Sequence, residues 1–168
     1  MALEMFLKID GVDGGTRNYQ HKGWADILSW NWNLERLPED LAAAAEPCAR
    51  MNQITILKAI GKESAALLRL FVDQTPIKSI EISVIPVVGK REALLKYMSI
   101  VMQDVRIISM RTDGEAEENF FRERLILEFG KIKYEVYHHT AGDPNDGAAT
   151  AVVENYTFEW DMTTNAAC

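Results

Sequence analysis

Alternation with a period of two dominates the chain. Leu28, Trp30, Trp32 and Leu34 alternate with Ser29, Asn31 and Asn33, the pattern of a strand with one buried face. Ile80, Ile82 and Val84 alternate with Glu81 and Ser83, and Leu125, Leu127 and Phe129 alternate with Arg124, Ile126 and Glu128. Tyr156, Phe158, Trp160 and Met162 alternate with Thr157, Glu159, Asp161 and Thr163. Such segments predict a mainly β domain. Two longer segments change phase midway. Met98, Ile100 and Met102 share a face, whereas Val105 and Ile107 have the opposite parity, so an extra residue, a β-bulge, is expected near Gln103–Asp104. A second phase change separates Phe129 from Ile132, Tyr134 and Val136, with Gly130 at the break. Long strands that bend midway suit a closed or strongly curved sheet.

One stretch has helical character. Lys62 to Val72 is rich in Ala and Leu, and Leu67, Leu70 and Phe71 stand at helical spacing. Gly61 precedes it and Thr75-Pro76 stops it, which predicts one short α-helix over about 62–74. The clusters Asp10–Gly15, Asp113–Asn119 and Asp143–Gly147 read as surface turns. The stretch 35–52, with its run of alanines, reads as an extended loop, and long excursions in small domains commonly serve an interaction.

Composition narrows the classes. The 168 residues, 48% hydrophobic and 26% charged, suit one globular domain spanning 1–168, with no linker and no internal repeat. Net charge is −7, spread as −2 over residues 1–84 and −5 over 85–168, with no basic run, so neither nucleic acid nor membrane insertion is expected. No apolar run approaches the roughly 18–20 residues that span a bilayer. The opening Met1 to Lys8 lacks a basic n-region and a long apolar core, so a secretory signal is not expected. Cys48 and Cys168 form neither a CxxC pair nor a disulfide framework.

Candidate chemistry is sparse. His138 and His139 are adjacent, so on a strand they point to opposite faces, and nothing nearby completes a metal-ligand spacing. Cys48 and His21 have no visible orienting acid, and Gly11, Gly14 and Gly15 match no phosphate-binding loop. No catalytic residue, cofactor or metal is expected. Trp30 and Trp32 read as core aromatics, with a sugar-binding platform as the competing reading.

The order of motifs carries more information than any of them alone. Met5 to Gly14 is similar to the first strand and turn of the haemolysin-coregulated protein (Hcp) family, the inner-tube subunits of the bacterial type VI secretion system. His21-Lys22-Gly23-Trp24 and Ile27-Leu28-Ser29-Trp30-Asn31-Trp32 resemble that family's second strand. The resemblance continues, in order, through Lys58 to Leu67, Leu127 to Tyr134 and Tyr156 to Asn165. Gly61 and Ala65-Ala66 depart from the family pattern of Asp and a Ser/Thr-Pro pair, the 35–52 loop is Ala-rich, and Asn119-Phe120-Phe121 is unusually apolar.

The resemblance implies a compact β-barrel of two packed sheets with one helix. It also implies a non-enzymatic role: homo-hexameric rings that stack into a tube, a sheath and spike-tip proteins as partners, and effector proteins held in the bore. Such a protein is made in the cytoplasm and exported without a signal peptide. On this reading Ser29, Asn31 and Asn33 are expected toward the bore or its rim, because their alternates must be buried. The loop residues Leu37, Pro38, Glu39, Asp40 and Leu41 are expected to contribute to subunit or ring contacts. The competing functions are a stand-alone carbohydrate- or protein-binding β-sandwich, a β-fold hydrolase using paired carboxylates, and a phage-type tail-tube protein.

Overall fold

The computed structural model describes residues 3–36, 49–51, 53–86, 96–116, 119–140 and 152–164. Its strands are β1 (Leu3–Ile9), β2 (Ala25–Trp32), β3 (Glu35–Arg36), β4 (Ala49–Arg50), β5 (Gln53–Ala59), β6 (Ile77–Pro86), β7 (Met98–Asp113), β8 (Arg122–Glu128), β9 (Lys131–Thr140) and β10 (Val152–Asp161). The helix α1 (Ser64–Val72) lies between β5 and β6, inside the segment expected to be helical. Gln74, at φ 53°, turns the chain out of it just before Thr75-Pro76.

The strands close in the order β7-β6-β1-β2-β5-β8 and back to β7, all antiparallel, giving a six-stranded barrel. β7 belongs to both walls. Its first half, Met98 to Gln103, pairs with β9, and its second half, Arg106 to Asp113, pairs with β8. The hairpin β9–β10 therefore extends one wall beyond the closed barrel.

The phase change at Gln103–Asp104 lies where the sequence placed it, but its cause differs. Ile77 stays opposite Val105 and Ser79 opposite Gln103, so no residue is inserted between β6 and β7. Instead Asp104 takes φ 55°, and the neighbouring strands bend with it, Gly130 N–H donating to the Gln103 carbonyl at 3.0 Å. Register does shift twice elsewhere, between Ile27 and Ser29 and between Ile107 and Ser109. The first shift corrects the single buried face expected for β2. Ala25 and Ile27 point inward, Leu28 is turned out at 40% exposure, and Trp30 and Trp32 then pack against the core. Leu34 lies past the end of β2 at 56% exposure.

The barrel is filled by Ile54, Ile56, Ile82, Ile100, Met102 and Leu127, all fully enclosed, and α1 adds Leu67 from the side of β7. One turn depends on glycine. Gly14 N–H donates to the Gly23 carbonyl at 2.9 Å, and a Cβ on Gly14 would sit 2.1 Å from the Trp24 carbonyl carbon.

A charged cluster is buried where α1 begins. Lys58 on β5 has no exposed side-chain surface; its Nζ lies 2.6 Å from Glu63 Oε1 and also donates to Glu123 of β8. Ser64 Oγ donates to the same Glu123 carboxylate at 2.8 Å and accepts from Gly61 N–H at 3.0 Å. Three elements thus meet at one ammonium group. The loop expected over 35–52 begins and ends as a two-rung ladder, Glu35 opposite Arg50 and Arg36 opposite Ala49. Leu37 to Leu41, Cys48 and Cys168 lie outside the described residues.

On the outer side of β1, His21 stacks flat on Phe6 at 4.2 Å and meets the edge of Trp24 at 5.0 Å. Its Nδ1 is buried without a hydrogen-bond partner among the described residues. Burial, reinforced by the Lys96 charge, holds the imidazole below its ordinary value of 6.5, with Glu4, Glu81 and Asp26 partly opposing. The unfolded chain therefore takes up this proton first as the pH falls. The contribution is fully present above about 6.5 and fades as the pH drops toward the depressed folded value. The parent is expected to lose melting temperature between pH 7.5 and 5.5 by scanning fluorimetry, and His21→Phe should flatten that fall. An identical slope in both proteins would exclude His21 as its source.

Candidate assembly and cargo surfaces

The wall formed by β2, β5, β8 and the second half of β7 has one face in the core and one outside. Pairing registers place residues in rows across it. One outward row runs Ser29, Leu57, Arg124, Arg111; the next runs Asn31, Thr55, Ile126, Ser109; a third holds Gln53, Glu128 and Arg106. Cross-strand partners share a face, and their inward alternates Ile56 and Leu125 are buried to within 1%. Ser29 and Asn31 are therefore exposed members of a four-strand surface. Asn33 is also exposed, just past β2, where its amide donates to Glu35 Oε1 at 2.5 Å.

The arginines of this surface were not singled out from sequence. Arg106, Arg111, Arg122 and Arg124 are all exposed. Arg111 Nε reaches Asp113 at 2.8 Å, and the Arg122 guanidinium lies 5.7 Å above the Phe120 ring. Arg122 and Arg124 share parity on β8, but Arg106 and Arg111 on β7 do not, and only the register shift between Ile107 and Ser109 brings both to one face and puts Arg111 directly opposite Arg124.

The hairpin β9–β10 has two unlike faces. Rows continue the core outward: Met98, Val136, Tyr156; Ile100, Tyr134, Phe158; Met102, Ile132, Trp160. Burial fades along each row. Ile100 is fully enclosed, Tyr134 is half-buried against Trp32 at 6.1 Å, and Phe158 is 41% exposed. Phe158 stacks on Trp160 with centroids 6.2 Å apart, and Tyr156 is 61% exposed. β10 pairs only with β9 among the described strands, so it presents an open edge carrying an aromatic face.

The opposite face of the hairpin is ionic. Lys133 lies 3.0 Å from Glu135, which also accepts hydrogen bonds from Tyr137 and Asn155 at 3.2 Å. Burial works to raise the Glu135 carboxyl, and these donors outweigh it and hold it below the usual value. Asp161 is held at about 2, chiefly by the Thr163 hydroxyl, against some burial and with help from Thr163 N–H and Lys131. These carboxylates are anchored as anions and serve the hairpin itself.

No three described His, Cys, Asp or Glu residues converge as a metal site, and no described helix is long and apolar enough to cross a membrane. Trp32 Nε1 donates to the Met51 carbonyl at 2.7 Å, which commits its polar atom to the fold.

Comparison with known proteins follows the same outline. A family model described as type VI secretion system effector, Hcp, matches residues 6–136. Protein hcp1 of Pseudomonas aeruginosa is 22% identical over 149 residues, covering 88% of this chain and 91% of that protein. Among solved structures, Hcp1 from Salmonella typhimurium superposes with a TM-score of 0.73 at 22% identity, covering 98% of each chain. A structure described as a type six secretion system protein gives 0.78 at 19% identity, again over 98% of each. A type VI secretion system effector from Yersinia pestis gives 0.62 at 25% identity, over 92% of this chain and 99% of that one.

Proposed function

The chain belongs to the Hcp family of the type VI secretion system, and from that premise we propose that it works as a structural subunit whose copies close head-to-tail into six-membered rings. The rings stack into an inner tube, enclosed by a sheath and capped by spike-tip proteins, and effector proteins travel in the bore. Expulsion of the tube carries the subunit out of the cell in which it is made.

One observation carries the assembly reading. The barrel is already closed, yet β9–β10 continues its apolar face into water through Tyr156, Phe158 and Trp160. A contiguous aromatic face on an open sheet edge calls for a cover, and a second copy of the chain supplies one. A head-to-tail contact uses this face once per subunit, and it closes into a ring when the rotation between neighbours divides a full turn. Negative-stain imaging and light scattering of the purified protein test it. Rings with open centres are expected, and monomers at high concentration would refute the reading.

Ser29 and Asn31 then line the bore, with Asn33 at its rim, and the 35–52 loop with Leu37 to Leu41 contributes to contacts between copies. Asn31→Glu is expected to reduce effector co-purification with rings several-fold, since it puts a negatively charged side chain into the wall while leaving the core untouched. Unchanged retention with intact rings would remove Asn31 from the bore.

A further inference from the structure

We propose that the outward face of the β2–β5–β8–β7 wall binds an acidic, partly apolar segment of a cargo protein, with Arg111 and Arg124 as its anion contacts; this rests on that face being the wall of the bore. The chain carries a net charge of −7, yet this face sets four arginines against Asp113 and Glu128. Arg111 and Arg124 stand directly opposite each other on neighbouring strands. Like charges in that position weaken a sheet, so nothing in the folding of the monomer favours the pair. Arg111 is partly satisfied by Asp113 through Nε, whereas Arg124 makes no ion pair among the described residues. Two adjacent guanidinium forks match carboxylates in a bidentate geometry that their own fold does not use.

The rest of the rows sets the kind of acid. Leu57 and Ile126 flank Arg124 and are half-exposed, giving apolar footing beside the charge. Ser29, Asn31 and Thr55 add neutral hydrogen-bonding groups alongside. The three rows contain no aromatic side chain on which a base could stack. A peptide with alternating carboxylate and aliphatic side chains fits these rows; a nucleic acid does not. In a ring the same pair recurs in every subunit, so an acidic cargo meets it repeatedly.

The test uses the assembled full-length protein and a fluorescent peptide of alternating Glu and Leu. Its Lys/Leu counterpart and a single-stranded oligonucleotide serve as competing probes, read by anisotropy at low salt. The acidic peptide should bind and the basic one should not. Arg124→Glu should weaken the acidic peptide by at least about tenfold and admit the basic one. Arg124→Gln should give an intermediate loss, and light scattering should report an unchanged assembly for both variants. Equal binding of the two peptides, indifference to Arg124→Glu, or tighter binding of the oligonucleotide would each overturn the proposal. The bore is tested separately by Ser29→Cys in a chain whose Cys48 and Cys168 are serine. A small maleimide should label every subunit and a bulky polyethylene-glycol maleimide only a minority. Full labelling by both would overturn the bore and the cargo role with it, even with the acidic peptide bound. Protected Ser29→Cys with no acidic binding would overturn the arginine assignment alone.

Discussion

Lys58→Met is expected to lower the melting temperature by roughly 10 °C. Lys58 is fully enclosed and its ammonium answers both Glu63 and Glu123, which are 4% and 1% exposed. Removing the cation leaves two carboxylates facing each other without water, and breaking a buried ion cluster in this way costs about 3–5 kcal/mol. The damage would centre on the start of α1, since Ser64 is held by the same Glu123. Replacing Lys58, Glu63 and Glu123 together by apolar residues of similar volume should recover most of the loss, because the desolvation of all three charges is then avoided. Circular dichroism melts decide it. A Lys58→Met protein melting within a degree or two of the parent would mean that water reaches the cluster.

Phe158→Glu is expected to dissolve the proposed rings into folded monomers. The ring at position 158 stacks on Trp160 and continues the row of Ile100 and Tyr134, yet it stays 41% exposed in the single chain. A central aromatic anchor of this kind is worth about 2–4 kcal/mol per contact, so each contact would weaken by roughly 30-fold or more. A ring multiplies that loss, because every subunit carries the change. The barrel itself should melt close to the parent, since the position lies outside the closed set of six strands. Light scattering gives the mass and a thermal melt gives the fold. Intact rings would move the interface away from β10.

Much of the fold could be read along the chain because burial follows parity. Ile80, Ile82 and Val84 or Leu125 and Leu127 alternate cleanly, and the structure buries them all. β2 misled at Leu28 because a one-residue register shift leaves no local mark: Leu28, Trp30 and Trp32 have one parity on paper and two orientations in space. The phase change at Asp104 was detectable, but a shared bend and an inserted residue produce the same string of letters. Ser29 and Asn31 stood out because bulky neighbours oblige them to face outward. Arg111 opposite Arg124 did not stand out, and neither did Lys58 with Glu123, since each pair joins strands whose relative register only the closed barrel fixes.

The pairing of Leu3 with Pro86 fixes an order of events during synthesis. The first strand leaves the ribosome long before its β6 neighbour, and the seam between β7 and β8 cannot form until Glu128 has emerged. Until then the nascent chain holds alternating apolar segments with no completed cylinder to hide them, the situation that slows folding and invites aggregation. The aromatic edge at Tyr156 to Trp160 emerges after every strand of the barrel. On the proposed assembly, a subunit would recruit its neighbours through that edge only once every barrel strand has emerged, so the late place of this strand would act as a timer against premature polymerisation.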